Sequence, residues 1–318
     1  MSKIVAVFFC VLLCVLSSAA AVSAQGISNL TISGNEVSAS LDLPGIRADL
    51  TLSFEQAVGL TAANLGLSAQ LVNPQDPTLL SRLPAGGLVT VPGASPVLVR
   101  VQPPATGGLS FSGAYTLGLH SYNLEYTANS PLRLYSAPDG GAFEDITASM
   151  GSGSYRVRGT KGSFSDFIIV ADLRPPATVI NQKFDAVSNL LTTYAGTIPA
   201  PLLGDLDQQL QVARSFYQGG NNASAAQAVD GFAASVQQNS GTAIPDVWRA
   251  SGDLADVAGR LRAAASTLGF SLNLAPAGSG VAAAPGMPAA PGAPAGLGGP
   301  AVAAAAAAPA APAPAAAR

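Results

Sequence analysis

The chain changes its spacing of apolar residues at Arg174-Pro175-Pro176, and that change limits the fold more than any motif does. Upstream, apolar side chains recur at every second residue. Ile46, Ala48, Leu50, Leu52 and Phe54 alternate with Arg47, Asp49, Thr51, Ser53 and Glu55, as in strands with one buried and one wet face. Downstream, they recur every three or four residues. Phe184, Val187, Leu191 and Tyr194 form one stripe, and Leu203, Leu206, Leu210, Ala213 and Tyr217 a second. Ala225, Val229, Phe232 and Val236 form a third, and Leu254, Val257, Leu261 and Leu268 a fourth. The two periods cannot be exchanged, because a strand turns alternate side chains to opposite faces and a helix does not. The expected fold class is therefore multidomain β plus α. An antiparallel β-sandwich at 25–173 is followed, across a stiff Pro-Pro hinge, by a four-helix up-down bundle at 174–274.

Turn dipeptides set the register of the opening strands. Gly34-Asn35 places Ile32 opposite Val37 and Leu30 opposite Ala39. Pro44-Gly45 places Leu41 opposite Ala48, Ala39 opposite Leu50 and Val37 opposite Leu52, with Asp42 facing Arg47 on the wet side. An L-Pro-Gly turn favours type II, whose twist opposes that of a tight hairpin, so a loop wider than two residues is open here. Further strands are predicted at 88–91, 97–102, 114–119, 122–126, 132–135, 155–158 and 167–171. A switch of apolar parity near Ser121 predicts a bulge or turn. Residues 54–71 read as a short helix and then a strand. Gly219-Gly220 ends the second helix. Asn222 is the expected N-cap of the third, which Gly241 closes. Pro245 fits the first turn of the fourth, which Gly269 closes.

Lys3, the 13-residue apolar run at 4–16 and the small residues Val22-Ser23-Ala24 have the form of a signal peptide at 1–24, with Gln25 as the mature N-terminus. The run is shorter than the roughly 20 residues a spanning helix needs. Phe9 before Cys10 and Leu13 before Cys14 do not suit lipidation. Both cysteines leave with this segment, so the mature chain has no thiol and one imidazole, which excludes disulfide scaffolds, Cys/His zinc sites and cysteine nucleophiles. A net charge of −3 and a charged fraction of 10% argue against broad electrostatic binding to nucleic acid or anionic lipid. All but six residues of 275–318 are Ala, Pro or Gly, the composition of a disordered tail. The expected location is secreted or periplasmic, with no membrane span after signal cleavage.

Nucleophile elbows, dinucleotide and phosphate loops, zinc-protease helices and EF-hand loops are missing from the sequence. The lone His120 has Ser121 beside it, but neighbours on a strand point to opposite faces, so a half-exposed strand histidine is expected. Asp139, Glu144 and Asp145 share a Gly-rich turn, where carboxylates can hold Ca²⁺ or simply be solvated; the solvated turn is expected. Asp205 and Asp207 suit a helix N-terminus. Arg156, Arg158 and Lys161 can grip an anion or defend an edge strand, and the edge is expected. Trp248, early in helix four, is expected to pack inside, with anchoring of bundle to sandwich or sugar stacking as other uses. Tyr115, Tyr122 and Tyr126 are likewise expected in the core. Asn29-Leu30-Thr31 and Asn222-Ala223-Ser224 fit glycosylation sequons.

Two resemblances follow from particular residues. Ala225, Val229, Phe232 and Val236, then Ser240-Gly241 and Ile244, with Leu254 and Ala258 placed where a last helix packs, resemble the FIMAH-type bacterial helical domain. That family lies at the C-terminal end of secreted bacterial proteins and has no catalytic residue to carry over. Leu132-Arg133-Leu134-Tyr135, Phe143-Glu144-Asp145-Ile146-Thr147 and Phe164-Ser165-Asp166-Phe167-Ile168-Ile169-Val170 resemble the closing strands of ZU5-like or Ig-like sandwiches of bacterial surface proteins. The whole arrangement is similar to an uncharacterised family of exported bacterial proteins. The expected function is a non-enzymatic binding or structural module of the cell envelope or extracellular space. An envelope or extracellular protein or glycan is its expected partner. No catalytic residue, metal site or cofactor is assigned, and the binding residues are unknown. The alternatives are an envelope hydrolase using carboxylates, or an assembly or secretion accessory docking through its helices.

Overall fold

The structure is a computed structural model that describes residues 26–275. The signal peptide expected at 1–24 and the tail beyond Ala275 lie outside the described residues. In chain order the elements are β1 (Ile27–Ser33), β2 (Glu36–Leu43), β3 (Ile46–Val58), α1 (Ala62–Leu65), β4 (Leu67–Leu71), α2 (Pro77–Arg82), β5 (Val89–Thr90), β6 (Val97–Val101), β7 (Ser110–Glu125), β8 (Leu132–Ala137), β9 (Glu144–Asp145), β10 (Thr147–Gly151), β11 (Ser154–Lys161), β12 (Asp166–Asp172), α3 (Pro176–Thr193), α4 (Ala200–Gln218), α5 (Asn222–Asn239), β13 (Val247–Arg249) and α6 (Val257–Leu274).

The strands form two antiparallel sheets. One runs β1-β2-β3-β7-β11-β10, with β13 also on β7; the other runs β4-β6-β12-β8-β9, with β5 on β12. Leu50, Leu52, Leu117 and Val157 of the first sheet share one core with Leu67, Val99, Leu134 and Phe167 of the second. The second sheet is covered on its other face too, where Leu79 and Leu83 pack on Leu98, Tyr135, Ile168 and Val170. This explains why 167–170 is an unbroken apolar run, whereas β3 alternates. The four long helices share a separate core around Ile180, Phe184, Leu210, Phe232 and Leu261.

The β2–β3 register is as expected, with Leu41 opposite Ala48, Ala39 opposite Leu50, Val37 opposite Leu52 and Asp42 opposite Arg47. Leu43 pairs with Ile46, so the second loop is two residues after all, and Gly45 at φ 74° supplies the left-handed residue that a type II turn needs. Ile32 meets Val37 as expected, but the β1–β2 register shifts between Ser28 and Thr31, and Leu30 is not paired with Ala39. Asn29, at φ 50°, occupies this irregularity. The parity switch near Ser121 is also a bulge: β7 is one continuous strand whose register against β11 shifts there, leaving Tyr122 and Asn123 both exposed.

Three expectations fail downstream. First, the helix starting at Pro245 is not there. Residues 247–249 form β13, which pairs Trp248 with Phe111 on β7. β11 ends its pairing with β7 at Tyr115, which leaves this edge free, and β13 satisfies it. Gly252, at φ 79°, turns the chain, and Asp256 then caps α6 by accepting from the Gly259 N–H at 2.6 Å. Leu254 is consequently 39% exposed, and Gly269 lies buried inside α6 against α5. Second, the N-cap of α5 is Asn221, which accepts from the Ser224 N–H; Asn222 is the first helical residue. Third, Arg174-Pro175-Pro176 is not a hinge. Arg174 grips Asp172 through two hydrogen bonds of 2.9 and 2.8 Å and also donates to Tyr135 and Gln182. With β13 on β7 and α6 against β7, β10 and β11, strands and helices fall in one compact unit.

Candidate functional site

A groove of about 730 Å³ lies between the two kinds of structure. The β8–β9 turn and the β11–β12 loop form one wall, and α3 and α6 form the other. The loop approaches the helix closely because Gly162 has no side chain. A Cβ there would sit 2.4 Å from the Arg260 backbone nitrogen. Phe164, Trp248, Val179, Leu190 and Ala264 are apolar residues of its lining. Both aromatics are anchored behind the groove. Trp248 stacks on Phe111 with centroids 5.2 Å apart and meets Phe164 edge-on at 4.9 Å.

The charged groups of the groove divide into paired and unpaired. Lys183, only 7% exposed, has its ammonium 2.7 Å from Asp145 and donates to the Thr267 carbonyl, Thr267 Oγ1 and Ser271 Oγ. Asp145 Oδ2 meets it by charge rather than through an aligned hydrogen bond, while Oδ1 accepts from the Thr147 N–H. Burial pushes the Lys183 ammonium below the usual lysine range, against the pull of Asp145. Arg174 is held by Asp172, whose carboxyl burial would raise but whose bonds to Arg174 bring it below its ordinary value. Asp185 pairs with Arg214 at 2.6 Å.

Glu144 also lines the groove, exposed; of the cations, Lys161 and Arg260 remain. Among the described residues neither side chain makes a hydrogen bond or ion pair, and Arg260 Nε is buried without an acceptor. Arg260 lies over Tyr194, 6.0 Å from the ring centre. Burial lowers the Lys161 ammonium from its ordinary value; Glu144 draws it up and nearby Arg260 presses it down.

Most residues singled out in the sequence are dispersed. Asp139 faces Arg100 at 3.7 Å, Glu144 is exposed and Asp145 is locked to Lys183, so the structure does not gather this acidic cluster. Arg156 and Arg158 are exposed, but β11 runs between β7 and β10 and is no edge. Only Lys161 of that trio reaches the groove. Asp205 and Asp207 are exposed on α4, past its first turn. Tyr115 is buried and donates to the Ser163 carbonyl, Tyr126 is half-buried, and Tyr122 is 46% exposed rather than in the core. Asn29 is exposed, whereas Asn222 is buried. Trp248 does join the helical segment to the sheet core, from a strand rather than a helix.

His120 has partners that its sequence neighbours did not suggest. Its Nε2 is 2.6 Å from Ser154 Oγ on β11, and its Nδ1 is 3.9 Å from Asp49 on β3. Ser121 points the other way, buried against Ser95. Asp49 is engaged by the Tyr122 hydroxyl, which donates at 2.8 Å, and by Ser40. Desolvation and Arg156 lower the imidazole, with Asp49 opposing them. The order Ser–His–Asp is that of a hydrolytic triad, but 3.9 Å is too long for the hydrogen bond that fixes the imidazole tautomer. Sequence reasoning also missed Lys183, although it sits on the buried stripe of α3 between Ile180 and Val187.

Among the described residues no helix is long and apolar enough to cross a membrane. A family model described as a family of unknown function, DUF6689, matches residues 11–275, and the chain belongs to that family. No curated protein and no solved structure matches the chain.

Proposed function

We propose that this DUF6689 member is an exported, non-enzymatic binding module that takes a small ligand in the groove between its sheets and helices. On this view the packed sheets are a β-sandwich of Ig-like kind and the four long helices an up-down bundle, as the resemblances drawn from the sequence suggest. The signal-like segment at 1–24 supports export. One observation carries the binding site: apolar and charged side chains from both walls converge on about 730 Å³, the size of a small-molecule pocket. The neutral dye N-phenyl-1-naphthylamine tests it. Saturable fluorescence enhancement at one site, lost in Ala264→Trp, is the expected result. Binding that survives this groove-filling variant moves the site elsewhere. Fractionation of the native host, with sequencing of the mature N-terminus at Gln25, tests export.

A second proposal, that of a hydrolase, draws on Ser154, His120 and Asp49. It ranks lower because Asp49 is turned toward Tyr122 and Ser40. The carboxylate version has less support, since Asp145 in the groove is neutralised by Lys183.

A further inference from the structure

We infer that the groove selects an anionic amphiphile, its acidic head between Lys161 and Arg260 and its apolar body against Trp248 and Phe164. This rests on the groove being the ligand site and adds the class of ligand. The other cations lining it have an internal partner: Lys183 has Asp145 and Arg174 has Asp172. Among the described residues Lys161 and Arg260 have no hydrogen-bond or ion-pair partner, although both come from elements packed against each other at Gly162. Two like charges held together in a partly dry groove repel, and each has lost part of its hydration. Arg260 Nε is the clearest sign, a buried N–H with nothing to donate to. A buried donor left unsatisfied costs about 1–3 kcal/mol, and a bound carboxylate or phosphate oxygen removes that cost. Glu144, the nearby acid, is exposed and forms no ion pair with Lys161. The apolar requirement comes from Trp248, Phe164, Val179, Leu190 and Ala264, which line the same groove. A hydrophilic anion leaves that surface wet, and a neutral apolar molecule leaves the two cations unpaired.

Trp248 is the chain's single tryptophan, so its emission reports on the groove alone. The test titrates the full chain with octanoate and with octanol, which share an alkyl body and differ in charge. Octanoate should shift the Trp248 emission saturably, at least tenfold more tightly than octanol. Lys161→Gln and Arg260→Gln, each first checked for an unchanged far-ultraviolet spectrum and melting temperature, should each weaken octanoate about tenfold and leave octanol unaffected. Equal binding of the two by the unaltered chain overturns the anionic preference while the groove stands as a site. Binding of neither, together with no binding of the neutral dye, removes the site and the preference with it.

Discussion

Lys183 on α3 and Asp145 on β9, both buried and both lining the groove, stand 2.7 Å apart. This ion pair fixes a helix to a sheet edge, and Thr267 on α6 touches both partners. Removing one member of a buried pair strands the other charge. Lys183→Met is therefore expected to destabilise the protein by about 3–5 kcal/mol. Lys183→Met combined with Asp145→Asn should recover a large part of that loss. Urea unfolding of the two variants measures the difference, and an equal loss in both would show that the charge left behind is not the cause.

Sheets and helices should unfold together. β13 is hydrogen-bonded to β7 although it belongs to the chain between α5 and α6, and Arg262 on α6 reaches Glu55 on β3 at 2.8 Å. Calorimetry of the chain is expected to show one transition. Two separated transitions would mean that the elements crossing the boundary contribute little to stability.

Asp256 makes stability depend on pH. Burial, aided by Asp246, raises its carboxyl to about 8, against the Gly259 N–H, Arg260 and Arg262, which favour the charged form. An acid with a folded pKa above its unfolded value binds more protons when folded. Its contribution is complete near pH 4 and is lost as pH rises to about 8. Asn keeps the capping oxygen and cannot ionise. Between pH 5 and pH 8 the melting temperature of the natural chain should thus fall several degrees further than that of Asp256→Asn. Parallel curves would place the ionisation outside this window.

Ser154 should not behave as an activated nucleophile. His120 is hydrogen-bonded to it, but Asp49 stands 3.9 Å from the imidazole and accepts from Tyr122. A fluorophosphonate probe is expected to leave Ser154 unlabelled, as judged by intact-mass spectrometry. Stoichiometric labelling that disappears in His120→Ala would instead establish a working relay and favour the hydrolase.

Glycine at Gly162 controls the width of the groove. A Cβ there would press on the Arg260 nitrogen at 2.4 Å and on the Gly259 carbonyl carbon at 2.6 Å, both backbone atoms that cannot move alone. Gly162→Ala should displace the start of α6, lower the melting temperature by several degrees and abolish octanoate binding. A variant with natural stability and affinity would show that the loop and helix can separate freely.

The β2–β3 register, the first three helical stripes and the bulge in β7 were legible in the residues, because alternation, turn dipeptides and stripe spacing act over a few positions. The misread stretch was 245–256. Pro245 and a spaced set of apolar residues imitate a helix start, but an unpaired edge of β7 far away in the chain offered hydrogen bonds that drew residues 247–249 into a strand. The groove was equally out of reach. Lys161, Lys183 and Arg260 look like unrelated surface cations until β11, α3 and α6 meet. Likewise His120 shows only Ser121 beside it until three strands align and present Ser154 and Asp49. Outside 245–256, local periodicity thus settled which of the long segments became strands and helices, since each carries its own buried face. Which charges ended up paired, and which were left facing a cavity, was settled by packing between segments far apart in the chain.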